Sequence, residues 1–164
     1  MAGGPIYPYS AIPTDTTGRL FPVRYAGVGG NIAPNDQALG VVGSLGADAT
    51  WDLRFLMPPA AAIPSGTLKL RVLMLSAANS GVVKYTVNDA VVAVGSSPSA
   101  ATLTAETQSS ITWVAGDSDK YKEDKVTLTA SPAGNDVLVV GLKFQTSGWT
   151  LSVTLACIVS VIWE

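Results

Sequence analysis

The 164-residue chain carries 10 Lys and Arg against 12 Asp and Glu, a formal net charge of −2, and only 13% of its residues are charged while 48% are hydrophobic. A chain of this size buries one core without staples, and its basic residues are scattered from Arg19 to Lys143 rather than gathered into a stripe, which argues against a nucleic-acid-binding face. It has no His, which removes Ser-His-Asp and Cys-His nucleophile systems and nearly all zinc sites. So little charge leaves too few groups to cover a compact monomer, and the expectation is an obligate oligomer or a subunit of a large assembly.

Residues 1–37 form an extended N-terminal arm. Gly3, Gly4, Pro5, Pro8, Pro13, Pro22, Gly27, Gly29, Gly30 and Pro34 punctuate it too often for a helix or a central strand. Yet Ile6, Tyr7, Tyr9, Ile12, Leu20, Phe21 and Tyr25 are too apolar for a solvated tail. They are the candidate interface residues, expected to lie along a surface of this chain or of a neighbour. The first 13 residues contain neither a basic n-region nor a continuous apolar run, so synthesis in a cytoplasm is expected.

Residues 38–164 alternate strand candidates with turns. After a short candidate at 39–44, residues 50–57 place Trp51, Leu53, Phe55 and Met57 on one face and Asp52 and Arg54 on the other, stopped by Pro58 and Pro59. Leu68, Leu70, Val72 and Met74 then oppose Lys69 and Arg71. Asn79-Ser80-Gly81 is a turn, followed by Val83, Tyr85 and Val87, an expected break at Asn88-Asp89, and a further run at 91–94. Residues 95–110, rich in Ser, Ala and Thr, suggest a loop with a short edge strand, and an extended pattern resumes around Trp113. Residues 121–130, 137–145 and 150–164 complete the set. The last alternates strictly, with Leu151, Val153, Leu155, Cys157, Val159, Val161 and Trp163 on one parity, so it is expected to pair inside a sheet and close the fold. The uncharged run 146–163 is long enough for a membrane span, but recurring Ser and Thr and the lack of flanking basic residues favour a strand.

No apolar period of 3.6 persists anywhere. The fold class is therefore all-β, an antiparallel two-sheet sandwich of jelly-roll type, with an immunoglobulin-like topology as second choice. No catalytic, cofactor or metal residue is proposed. Asp117 and Asp119 are the best carboxylates for Ca²⁺, but interleaved Lys120, Lys122 and Lys125 make a solvated hairpin the better reading. Cys157 lies on an apolar parity, as an inert buried thiol does. Trp51 and Trp163 are expected in the core, whereas Trp113 and Trp149 lie near loops where a sugar-stacking platform could form; packing is favoured for all four.

The runs Ala49-Thr50-Trp51-Asp52-Leu53-Arg54-Phe55-Leu56-Met57-Pro58, Pro64-Ser65-Gly66-Thr67-Leu68-Lys69-Leu70-Arg71, Trp113-Val114-Ala115-Gly116-Asp117-Ser118-Asp119-Lys120-Tyr121-Lys122-Glu123 and Ser147-Gly148-Trp149-Thr150 through Trp163-Glu164 resemble small β-sandwich proteins of tailed-phage virions. The resemblance implies a structural, non-enzymatic virion protein. Its first expected role is capsid decoration: a cement protein on the outer surface of the phage head, partnered with the major capsid protein and with itself as a homotrimer, without nucleic acid, membrane or cofactor. The alternative is a tail-fibre or baseplate module that binds a cell-surface glycan. A glycan-cleaving enzyme, third in order, needs two carboxylates facing each other across a cleft.

Overall fold

A computed structural model of the chain describes residues 4–13, 20–23, 26–27, 30–31, 38–41, 47–151 and 155–164. The polypeptide forms an antiparallel β-sandwich. Its first sheet is ordered β1 (Ser10–Pro13), β6 (Ala49–Leu56), β11 (Val137–Phe144), β8 (Gly81–Val92), β9 (Thr107–Trp113). The second is ordered β10 (Lys120–Thr127), β7 (Leu68–Ser76), β12 (Leu155–Trp163), β5 (Ala38–Val41), β2 (Leu20–Val23). A small separate ribbon joins β3 (Ala26–Gly27) to β4 (Gly30–Asn31). From β5 to β12 every connection except β8 to β9 crosses between the sheets, which is the jelly-roll arrangement expected from the sequence.

Period-two alternation builds the core. In β6, Trp51, Leu53 and Phe55 point inward and are fully buried; Leu70, Val72 and Met74 of β7, Leu138, Val140 and Leu142 of β11, and Leu155, Cys157 and Val161 of β12 meet them from both sheets. Burial against this mass pushes the Cys157 thiol pKa up, as its apolar parity foretold. Tyr85 of β8 and Ser109 of β9 both donate to Asp124 Oδ2 of β10, the phenol at 2.5 Å, and so tie the sheets together at one edge.

Two expectations need correction. The strand does not break at Asn88-Asp89: β8 runs unbroken for 12 residues, because the buried Asp89 is fully served there by hydrogen-bond donors. The edge strand near 110 begins at Thr107 and continues through Trp113, so the loop is confined to 93–106. Trp113, for which packing was favoured, is core at 1% exposure, on the inward parity of β9 and opposite Gly81 of β8. Among the other indoles, Trp51 is buried, while Trp149 and Trp163 are half-buried against the same core, Trp149 edge-on to Phe144 with ring centroids 5.8 Å apart. Among the described residues no helix is long and apolar enough to cross a membrane, and residues 155–163 of the uncharged run are the strand β12.

The arm enters both sheets at their edges. Ile6 exchanges backbone hydrogen bonds with Val161 of β12 (3.0 and 2.8 Å), alongside the part of β12 that β5 is too short to reach. Four residues later β1 has crossed to the other sheet, where Ser10 to Pro13 pair with Arg54 to Trp51. Pro22 and Pro13 are tolerated because β1 and β2 are edge strands.

Candidate functional site

Residues of even number in β6 and β8, and of odd number in β11, point away from the core and pave the outer face of the first sheet. Register sets them in rows: Leu56–Val137–Val92, then Arg54–Val139–Ala90, then Asp52–Gly141–Asn88, then Thr50–Lys143–Thr86. Over the first two rows, with Asp52 of the third at its border, lies a cleft of about 280 Å³, near the lower end of the range for small-molecule sites. Val137, Val139, Ala90 and Val92 make its floor apolar, with Asp52 and Arg54 along one side. Tyr9 forms one wall, and Pro98, Ala101 and Leu103 form the other.

Each wall is pinned by the backbone. The Tyr9 N–H donates to the Arg54 carbonyl at 2.9 Å, holding Tyr9 at the β6 side of the cleft while 61% of the residue stays exposed. The opposite wall hangs on Asp89. Thr104 Oγ1 donates to Asp89 Oδ1 at 2.6 Å, the Asp89 N–H donates to Thr104 Oγ1 at 3.1 Å, and the Thr104 N–H donates to the Asp89 carbonyl at 2.9 Å. The same carboxylate accepts from Thr129 N at 2.7 Å, Thr129 Oγ1 at 2.9 Å and Ala130 N at 3.0 Å. At the far end, Asp136 accepts from Val94 N at 3.3 Å and Ala133 N at 2.8 Å, fixing the chain as it leaves β8.

The polar side of the cleft is unspent. Asp52 and Arg54 lie two residues apart on one face of β6, and among the described residues neither takes part in an ion pair or a side-chain hydrogen bond. Arg54 Nε is hidden from water and has no acceptor. An orphaned charged donor costs on the order of 1–3 kcal/mol or more, and that cost is recovered when an acceptor arrives. Donor, acceptor and exposed aromatic ring thus converge on an apolar floor. That arrangement suits binding of a polar ligand with an apolar face; it does not present two carboxylates across a cleft.

The candidate interface residues lie on strands and segments of both sheets. Ile6 is half-buried against the core, Tyr7 and Tyr9 are exposed, Ile12 lies opposite Asp52 in β1, and Leu20 and Phe21 lie in β2 opposite Val41 and Gly40. Tyr25 lies outside the described residues. The Asp117 cluster is engaged internally: Asp117 accepts from the Val114 N–H at 2.9 Å and pairs with Lys122 at 2.6 Å, and this hydrogen bonding with Lys122, then Val114, lowers its pKa. Sequence reasoning assigned Asp52 and Arg54 to an outward face, but their convergence with Tyr9 and Leu103 depends on strand order, which no local pattern records.

No protein-family model matches this sequence, and no curated protein matches it. Solved structures of similar shape exist at low identity. The family 11 carbohydrate-binding module of the cellulosomal cellulase Lic26A-Cel5E of Clostridium thermocellum is 13% identical with a TM-score of 0.49, over 100% of this chain and 97% of that one. TmCBM61, solved with β-1,4-galactotriose, is 10% identical with a TM-score of 0.48, over 95% of this chain and 90% of that one. The enzymatically active domain of tailspike protein 4 of bacteriophage CBA120 is 11% identical with a TM-score of 0.43, over 82% of this chain but 17% of that one.

Proposed function

We propose that this chain is a non-catalytic β-sandwich module that binds a glycan in the cleft on the outer face of its first sheet. The observation that carries the reading is the unpaired Arg54 and the unpaired Asp52 on one side of an apolar floor, in a cleft that an exposed Tyr9 also lines. Sugars offer hydroxyls that both accept and donate, and an apolar ring face that stacks on an aromatic. In the virion setting that the sequence resemblance implies, such a module belongs on a tail fibre or baseplate, where it reads a cell-surface glycan.

The capsid-cement role with a homotrimer and the major capsid protein ranks second. Its support was an arm free to reach a neighbour, yet residues 4–13 spend backbone hydrogen bonds on their own two sheets. What still favours it is the low overall charge and the exposure of Tyr7 and Tyr121.

The test is fluorescently labelled protein on an array of bacterial, plant and animal glycans. Wild type is expected to retain a defined glycan class, and Arg54→Ala and Tyr9→Ala each to weaken binding at least tenfold without lowering the melting temperature by more than a few degrees. Absence of binding, or binding that both substitutions leave intact, overturns the reading.

A further inference from the structure

Gly141 occupies the middle of β11, a central strand, where a glycine weakens the strand and marks the close approach of another group. The group that approaches is the side chain of Asn88: a Cβ on Gly141 would lie 2.2 Å from Asn88 Oδ1. Register sets Gly141 between Asp52 and Asn88, so the Asn88 amide reaches across β11 over the glycine, toward the side of Asp52. That amide is half-buried, and among the described residues it makes no hydrogen bond. The row lies about 7 Å along the strands from the Arg54 row. The cleft walls stand across the sheet, Tyr9 outside β6 and Leu103 beyond β8, and Asp52 of the Gly141 row lines the cleft where it borders that row.

We infer that the cleft continues along β11 as a lane in which the Asn88 amide provides a second sugar-binding position, with Gly141 holding that amide down in the floor. The ligand class that follows is a linear oligosaccharide lying parallel to the strands, rather than a single terminal sugar. This rests on the glycan reading of the cleft. An amide supplies both a donor and an acceptor to sugar hydroxyls, and this one sits in the floor beside Asp52 with no hydrogen bond among the described residues.

The experiment measures binding of wild type, Gly141→Ala, Asn88→Ala and the double variant by calorimetry. The probes are linear glucose, galactose and N-acetylglucosamine oligomers of one to six units, together with any class retained on the array. Wild-type affinity is expected to rise at least tenfold from disaccharide to tetrasaccharide. Gly141→Ala, whose new methyl lifts the amide, and Asn88→Ala should each remove that rise while leaving disaccharide affinity and folding in place. The double variant should be no weaker than Asn88→Ala, because both changes act on one group. Affinity independent of length, or a length dependence unchanged in both single variants, overturns the lane but leaves the cleft reading standing. No binding by any probe overturns both.

Discussion

Asp89 is the buried group on which the cleft wall depends, and its replacement by Ala is the most informative perturbation of the fold. At 2% exposure its carboxylate accepts four hydrogen bonds, from Thr104 Oγ1, Thr129 N, Thr129 Oγ1 and Ala130 N, at 2.6 to 3.0 Å. The Ala variant orphans two backbone N–H groups at about 1–3 kcal/mol each, while the freed hydroxyls can turn to water. The expected loss is about 4 kcal/mol, a large part of the roughly 5–15 kcal/mol that holds a domain together. At about 2–4 °C per kcal/mol for a chain of this size, the melting temperature should fall by about 8–16 °C. Because Thr104 adjoins Leu103, glycan affinity should fall as well. Urea denaturation of Asp89→Ala and Thr104→Val beside wild type measures the effect, with the Thr104 variant losing less because the backbone donors of 129 and 130 keep their acceptor. A loss below about 1 kcal/mol for Asp89→Ala refutes the assignment of this carboxylate as the anchor.

Other outcomes follow from the same structure. Desolvation foremost, then the hydrogen bond to Asp124, raises the Tyr85 pKa far above the ordinary tyrosine range. An acid whose folded pKa is raised adds stability below its unfolded pKa, about 10, and loses it as pH climbs toward the folded value. The melting temperature of wild type should therefore drop above about pH 10 more steeply than that of Tyr85→Phe; parallel curves between pH 8 and 12 count against this. Cys157 is fully buried with its thiol pKa pushed up, so a thiol reagent at pH 8 should modify it only at the rate of unfolding, and prompt modification of the native protein contradicts its placement. Deleting residues 1–9 removes the Ile6–Val161 exchange and the Tyr9 wall but leaves β6 through β12 intact. The shortened chain should melt cooperatively yet bind glycan at least tenfold more weakly, and a truncated protein with full affinity excludes Tyr9 from the site.

The core was legible wherever one face was wholly apolar. The alternation Trp51, Leu53, Phe55 and the run Leu155, Cys157, Val159, Val161 state which side is buried, because a slip of one residue would turn every large side chain outward. The sequence misled where a polar residue was buried on purpose. Asn88-Asp89 has the composition of a turn, but the partners that make it a strand, Thr104, Thr129 and Ala130, lie 15 to 41 residues away. Trp113 could be read either way for a similar reason: its neighbours Val114 to Asp117 form a turn, yet the indole belongs to the last inward position of β9, as the favoured packing reading had it. The site was least legible. Asp52 and Arg54 announce an outward face, and Tyr9 an apolar arm, but only the order β1-β6-β11-β8 brings them together over Val139 and Ala90.

The central claim is that the outer face of the first sheet holds the ligand. Amide chemical-shift mapping on isotopically labelled protein, titrated with the glycan retained on the array, tests it directly. The account predicts that shifts concentrate at Tyr9, Asp52, Arg54, Ala90, Leu103 and Val139, with the Arg54 Nε–H moving as it gains an acceptor. Shifts gathered instead on the outer face of the second sheet, around Arg71, Tyr121 and Ser160, would contradict it.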